Sequence, residues 1–156
     1  MALKGDRQVD SVEVGFYLNA AASQGSVVSI STAGSGVALD DPASLVTVAG
    51  ASSGQKPVGM LLTEVVSLDL TRTPINWHRD QVNVGGKVTV MTKGWAVTDQ
   101  LTGSPTAGQE ALLCSSGTLT GQAIGTATWN KASNPFVGRF RSTKNEAGFA
   151  RVYVDL

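Results

Sequence analysis

The chain has 156 residues, 42% of them hydrophobic and 15% charged, with 18 glycines and a formal net charge of zero. That length suits one domain with a sizeable core, and the apolar content is too high for a disordered chain. Neutral charge argues against a general nucleic-acid binder, which needs surplus Lys and Arg to displace counterions from phosphates, and it removes one defence against self-association.

Frequent glycine with many Ser, Thr and Val residues favours an all-β domain, because helices disfavour repeated Gly. The single cysteine, Cys114, excludes an internal disulfide; it lies in the apolar run Ala111–Cys114 and is expected to be a small core residue. The first residues, Met1-Ala2-Leu3-Lys4-Gly5-Asp6-Arg7, lack the apolar core of a signal peptide. No apolar stretch approaches the roughly 18–20 residues that a membrane helix needs. These features predict a protein made in a cytoplasm, with no membrane partner.

In chain order, residues 1–10 are a polar stretch with Leu3 and Val9 as its apolar anchors, read either as a frayed terminus or as an extended arm that orders on a partner. The remainder, 11–156, reads as one β-rich domain. Val12, Val14, Phe16 and Leu18 alternate and predict a first strand with these four on one face. Residues 19–25 form a helical turn or a plain loop. Short strands are expected at Ser26–Ser31 and Leu45–Val48. The run from Pro57 to Val66 is apolar on both alternating sets, which predicts a strand buried on both faces. Residues 67–82 are more charged, and they place Arg72, Trp77, His78 and Arg79 near Pro74 and Ile75. Trp and Arg together characterise protein contact sites, so these four are a candidate oligomer or capsid contact; the plainer reading is a crossing loop that tucks one Trp inward.

The clearest strand follows a double-glycine turn. In Lys87–Lys93, Val88 and Val90 alternate with Lys87, Thr89 and Lys93, with Met91 an apolar exception on the polar side. Gly94 interrupts the run and Trp95–Thr98 resumes it. A lone Gly inside a strand pattern predicts a bulge or bend, so this strand should join two parts of a small barrel. Beyond it, two short strands flank Ser115-Ser116-Gly117, and a terminal hairpin turns at Lys144–Gly148.

No catalytic constellation stands out. His78 has Asp80 two residues on, but a triad is a matter of geometry rather than spacing. The sequence contains no HExxH, CxxC or nucleophile elbow. The adjacent carboxylates Asp40 and Asp41 suit a turn before Pro42 better than a calcium loop, which gathers more oxygens. No enzyme activity, metal or cofactor is expected.

The segments PVGMLL, GGKVTVMTKGWAVT, SPTAGQEALLCSSGTLTG and VGRFRSTKNEAGFARVYVDL, in this order over residues 57–156, resemble the capsid decoration, or cement, proteins of tailed bacteriophages. The resemblance implies a small β-barrel or β-sandwich, β-tulip-like, with long loops and an extended N-terminal arm. It also implies a structural protein on the outer surface of a phage head, commonly a trimer at threefold and quasi-threefold positions, stabilising the lattice. Its partners would be the major capsid protein and its own copies, as a trimer or a dimer. On this reading Leu3, Lys4, Arg7 and Val9 bind the capsid as the arm gains order along a sheet edge. A tail or baseplate part, or a carbohydrate-binding β domain stacking sugars on Trp77, Trp95 or Trp129, is the alternative.

Overall fold

A computed structural model describes residues 2–31, 44–48, 51, 53–65, 81–82, 84–123 and 133–156. The described chain is all-β. Its strands are β1 (Gln8–Leu18), β2 (Ala22–Ser23), β3 (Val27–Ile30), β4 (Ser44–Thr47), β5 (Pro57–Val65), β6 (Gln81–Val82), β7 (Lys87–Thr98), β8 (Leu101–Thr102), β9 (Glu110–Leu113), β10 (Leu119–Gln122), β11 (Phe136–Phe140) and β12 (Ala150–Asp155). One 3₁₀ turn, Ser115–Gly117, links β9 to β10.

The long strand β7 is the hinge of the architecture. One of its edges carries β1 from Lys87 to Trp95, and a further bridge joins Leu3 to Thr98. The opposite edge carries β5 from Lys87 to Met91 and then β12 from Lys93 to Thr98. Through its first half, β7 closes the five-stranded ring β1-β4-β3-β5-β7. Its second half leads into the sheet β7-β12-β11-β9-β10-β8. The strand expected to join two parts of a small barrel does so.

Two cores lie on either side of the shared wall. The ring interior takes Leu18, Val28, Val46, Leu61, Val88 and Val90, so each of its five strands contributes. The other core takes Val27, Met60, Leu62 and Met91 from the outer face of the ring. Against them pack Ala96, Ala111, Leu113, Leu119, Val137, Phe140, Val152 and Val154. β3 and β5 are therefore buried on both faces: Val27 and Val28 are both inside, as are Met60, Leu61 and Leu62. This is why Met60, Leu61 and Leu62 are apolar in succession rather than alternating with polar residues.

β7 serves both cores by rolling over once. Val88 and Val90 face the ring interior, Met91 faces the second core, and five residues later Ala96 faces that second core too. An odd separation on one face requires an extra residue, because side chains alternate with period two. The pairing with β1 shows it: Ser11 opposes Lys93 and Val12 opposes Met91, so Thr92 is the added residue. Met91, the exception in the sequence pattern, is apolar because it sits where the strand changes cores.

Gly94 completes the roll. Its φ is +141°, and a Cβ there would collide with the Gln8 carbonyl oxygen of β1. A non-glycine residue is costly in such a conformation, by about 1–3 kcal/mol for the backbone alone. Gly94→Ala is expected to lower stability by about 2 kcal/mol or more in urea unfolding. Gly15→Ala, whose Cβ meets nothing within 4 Å, should be close to neutral by the same measurement.

Candidate interaction surface

The N-terminal residues run antiparallel to the whole of β7. Ala2 and Leu3 are buried, Leu3 within the second core. The Lys4 amide donates to the Val97 carbonyl at 2.9 Å, and the Asp99 amide donates to the Ala2 carbonyl at 3.0 Å. Thr98 anchors this segment from inside. Its hydroxyl is fully buried and lies 3.2 Å from the Ala2 carbonyl and 3.3 Å from the Gly25 carbonyl. The same oxygen accepts the Gln100 amide at 3.0 Å. One hydroxyl thus holds the N-terminal segment, the turn before β3 and the corner after β7.

The expected arm therefore merges with the body. Leu3 is a core residue, and regular strand begins at Gln8 rather than at Val12. Lys4, Arg7 and Val9 remain exposed, with the Lys4 ammonium 4.5 Å from the Phe149 ring centroid.

The apolar face expected of β1 is covered only in part. Phe16 and Leu18 do pack into the ring core, but Val12 and Val14 are 45% and 46% exposed. Only Phe16–Leu18 pair with β4, so from Gln8 to Gly15 the outer edge of β1 has no ladder partner among the described residues. Three register shifts against β7, between Val9 and Ser11, Ser11 and Val12, and Glu13 and Phe16, further break the alternation. The result is eight consecutive exposed residues, Gln8–Gly15, that include three valines. Cys114, expected in the core, is only half-buried. Arg72, Trp77, His78 and Arg79, with Trp129 and the Asp40-Asp41 pair, lie outside the described residues.

A second surface cluster was not foreseen as a group. On the outer face of the β7-β12-β11 sheet, Tyr153 pairs with Trp95 on one side and with Arg139 on the other. The Arg151 guanidinium carbon lies 4.2 Å from the Trp95 ring centroid, and that of Arg141 lies 5.1 Å from the Tyr153 ring. The Trp95 indole N–H donates to the Gln8 side-chain oxygen at 3.1 Å. A cleft of about 440 Å³ opens among Gln8, Asp10, Trp95, Arg141, Arg151 and Tyr153. The period-two spacing of Arg139 with Arg141, and of Arg151 with Tyr153, was the available signal. What places them on one face is the pairing of three strands, which a single segment does not reveal.

At the edge of this face, Lys93 and Asp155 form an exposed ion pair at 3.1 Å. The hydrogen bond from Lys93 to Asp155, and then the Asp155 charge, raise the Lys93 pKa above its usual 10.5. A raised pKa means the pair supports the fold below pH 10.5 and loses that support as pH climbs through the Lys93 titration. No family model matches this chain, and no curated protein matches it.

Two outcomes check these contacts. Thr98→Val leaves the Gln100 amide without its acceptor and the Ala2 carbonyl without the hydroxyl; the expected loss is about 1–3 kcal/mol, with faster exchange of the Lys4 amide. Asp155→Asn should move the Lys93 titration to lower pH by NMR. The unfolding midpoint at neutral pH should barely move, because exposed pairs contribute little.

Proposed function

We propose that this protein is a structural virion component that binds the outer surface of a tailed-phage head and stabilises the capsid lattice, as a trimer at threefold and quasi-threefold positions. The observation that carries the reading is the β1 edge. An exposed strand edge with apolar side chains invites pairing with another chain, and monomeric proteins blunt such edges with charged residues, Pro, bulges or short strands. Gln8–Gly15 carries two charges, Asp10 and Glu13, and irregular pairing with β7, but it has neither Lys nor Pro, and it offers Val9, Val12 and Val14 at 37%, 45% and 46% exposure.

On this reading an extended segment of the major capsid protein adds a strand along Gln8–Gly15, with backbone hydrogen bonds for affinity and the valines for fit. Lys4 and Arg7 flank the strand on its N-terminal side. The packed Leu3 supports the proposal in a specific way: it fixes the chain just before the edge, so less ordering entropy opposes binding. A trimer would present three such edges at once and raise the effective concentration of the second and third after the first has bound. Arg72, Trp77, His78 and Arg79 remain the proposed oligomer or capsid contact from the sequence.

The test uses heads assembled without this protein. Val12→Asp with Val14→Asp should keep the unfolding midpoint within a few degrees, since both sites are exposed. The same variant should reduce head occupancy at least about tenfold, the effect of losing roughly 1.4 kcal/mol of binding. Full occupancy by a folded double variant contradicts the edge reading. Native mass measurement of the free protein, expected to give a trimer, tests the oligomer independently.

A further inference from the structure

We infer that the outer face of the β7-β12-β11 sheet is a glycan-binding groove, one that takes a neutral oligosaccharide of at least two linked pyranose units. The inference stands on this face alone and does not rest on the head reading.

The charges that these strands place on the face are matched. Lys93 pairs with Asp155, Arg151 lies 3.7 Å from Asp6, and Arg139 stands directly opposite Glu110 in the register of β11 with β9. The remaining guanidinium group, that of Arg141, shares its cleft with Asp10. A ligand of either net charge therefore gains little attraction from the face as a whole. What the cleft offers is donors and acceptors side by side. The Arg141 and Arg151 guanidinium groups only donate, the Asp10 carboxylate only accepts, and the Gln8 amide does both. A hydroxyl is a neutral group that donates and accepts from one atom, so a polyol answers both kinds of partner without a charge to desolvate.

Two rings give the groove an apolar floor. Trp95 and Tyr153 are direct cross-strand partners, so their Cβ atoms stand about 4.5–5.5 Å apart and the rings form one patch. Arg151 lies over one ring and Arg141 over the other, yet both rings still line the cleft, so ring surface is left beside each guanidinium. The Trp95 indole is also held by its bond to Gln8. An apolar floor with a few fixed polar groups around it is the make-up of a small-ligand cleft. It matches a pyranose ring, whose C–H face is apolar and whose hydroxyls project from the rim.

A second cleft extends the first. It measures about 310 Å³, has Phe149 as its ring, and shares Arg141 and Arg151 with the first cleft of about 440 Å³. Both volumes fall in the roughly 300–1,000 Å³ range of ligand sites. The Ser142 hydroxyl accepts the Arg151 amide at 2.8 Å, and the Thr143 hydroxyl accepts the Ala107 amide at 3.2 Å. Both hydroxyls line this second cleft, and each keeps its own hydrogen to donate. The two arginines thus stand between two clefts of like chemistry, an arrangement that a chain of linked sugars spans and a single sugar does not. A peptide meets its donors and acceptors better on a strand edge such as that of β1, whereas a sheet face presents side chains rather than backbone.

The probes are cellotetraose, maltotetraose and chitotetraose, each titrated into the full chain and followed by the amide NMR shifts of β7 and β12. Saturable shifts on these strands are expected with at least one of the three by about 10 mM, beyond which little binding free energy is left to read. Trp95→Ala should weaken that binding at least about tenfold. Arg141→Ala should do the same while its exposed site leaves the unfolding midpoint within a few degrees. Tetragalacturonate should bind no more tightly than the neutral sugars, because the carboxylates on the face match its cations. The inference is overturned by the absence of saturable shifts with all three neutral probes or by full affinity in the folded Arg141→Ala protein. Tighter binding of tetragalacturonate also overturns it, as does equal binding of a Gly-Ser decapeptide, which would mark a general groove for polymers. No heads enter this assay, so its outcome and that of head occupancy are read separately.

Discussion

The constraint on which the structure depends is that one strand serves two cores. β7 closes the ring with its first half and carries β12 with its second, while the N-terminal chain runs along its other edge throughout. A strand cannot keep one face toward both interiors without changing phase. The extra residue at Thr92 and the glycine at Gly94 supply that change within three positions. Removing the phase change would expose Ala96 and its successors or expose Val88 and Val90. The neighbouring strands follow from it: β3 and β5 become a wall with two buried faces, and β12 and β11 cover its outer side.

The same geometry explains where interaction surface is left over. The ring needs β1 only at Phe16–Leu18, where β4 meets it. The preceding eight residues are held on one edge by β7 and have no ladder partner on the other among the described residues, so firm positioning coincides with an edge that the described strands leave unpaired. On the opposite edge of β7, the outward side chains of its second half meet those of β12 and gather Trp95, Tyr153, Arg151 and Lys93 on one face. Both surfaces grow from β7, which pairs with β1, β5 and β12, and preorganised presentation lowers the ordering cost of association.

Much of this was legible in the sequence where local pattern and tertiary role coincide. The interruption at Gly94, the doubly apolar Pro57–Val66 run and the terminal hairpin each follow from period-two alternation or from turn chemistry. Met91 was visible as an anomaly, but its cause is not local, since it needs the second core. Val12 and Val14 misled for a physical reason: alternation shows that a strand has an apolar face, not that another element covers it. Leu3 misled in the opposite direction. A single leucine among polar residues reads as a loose end, and only pairing with a strand more than ninety positions away buries it. The arginine–aromatic face was hidden for the same reason, because its members come from three strands and meet only across the sheet.

Amide hydrogen exchange on the free protein and on the assembled particle tests the central claim most directly, because it reads β7 and the β1 edge in one measurement. The account predicts slow exchange along β7 in both states. It also predicts that the outward amides of Gln8–Gly15 exchange quickly in the free protein and become protected on assembly. Outward amides that are equally fast in both states would contradict it, as would a β7 that exchanges as quickly as the chain termini.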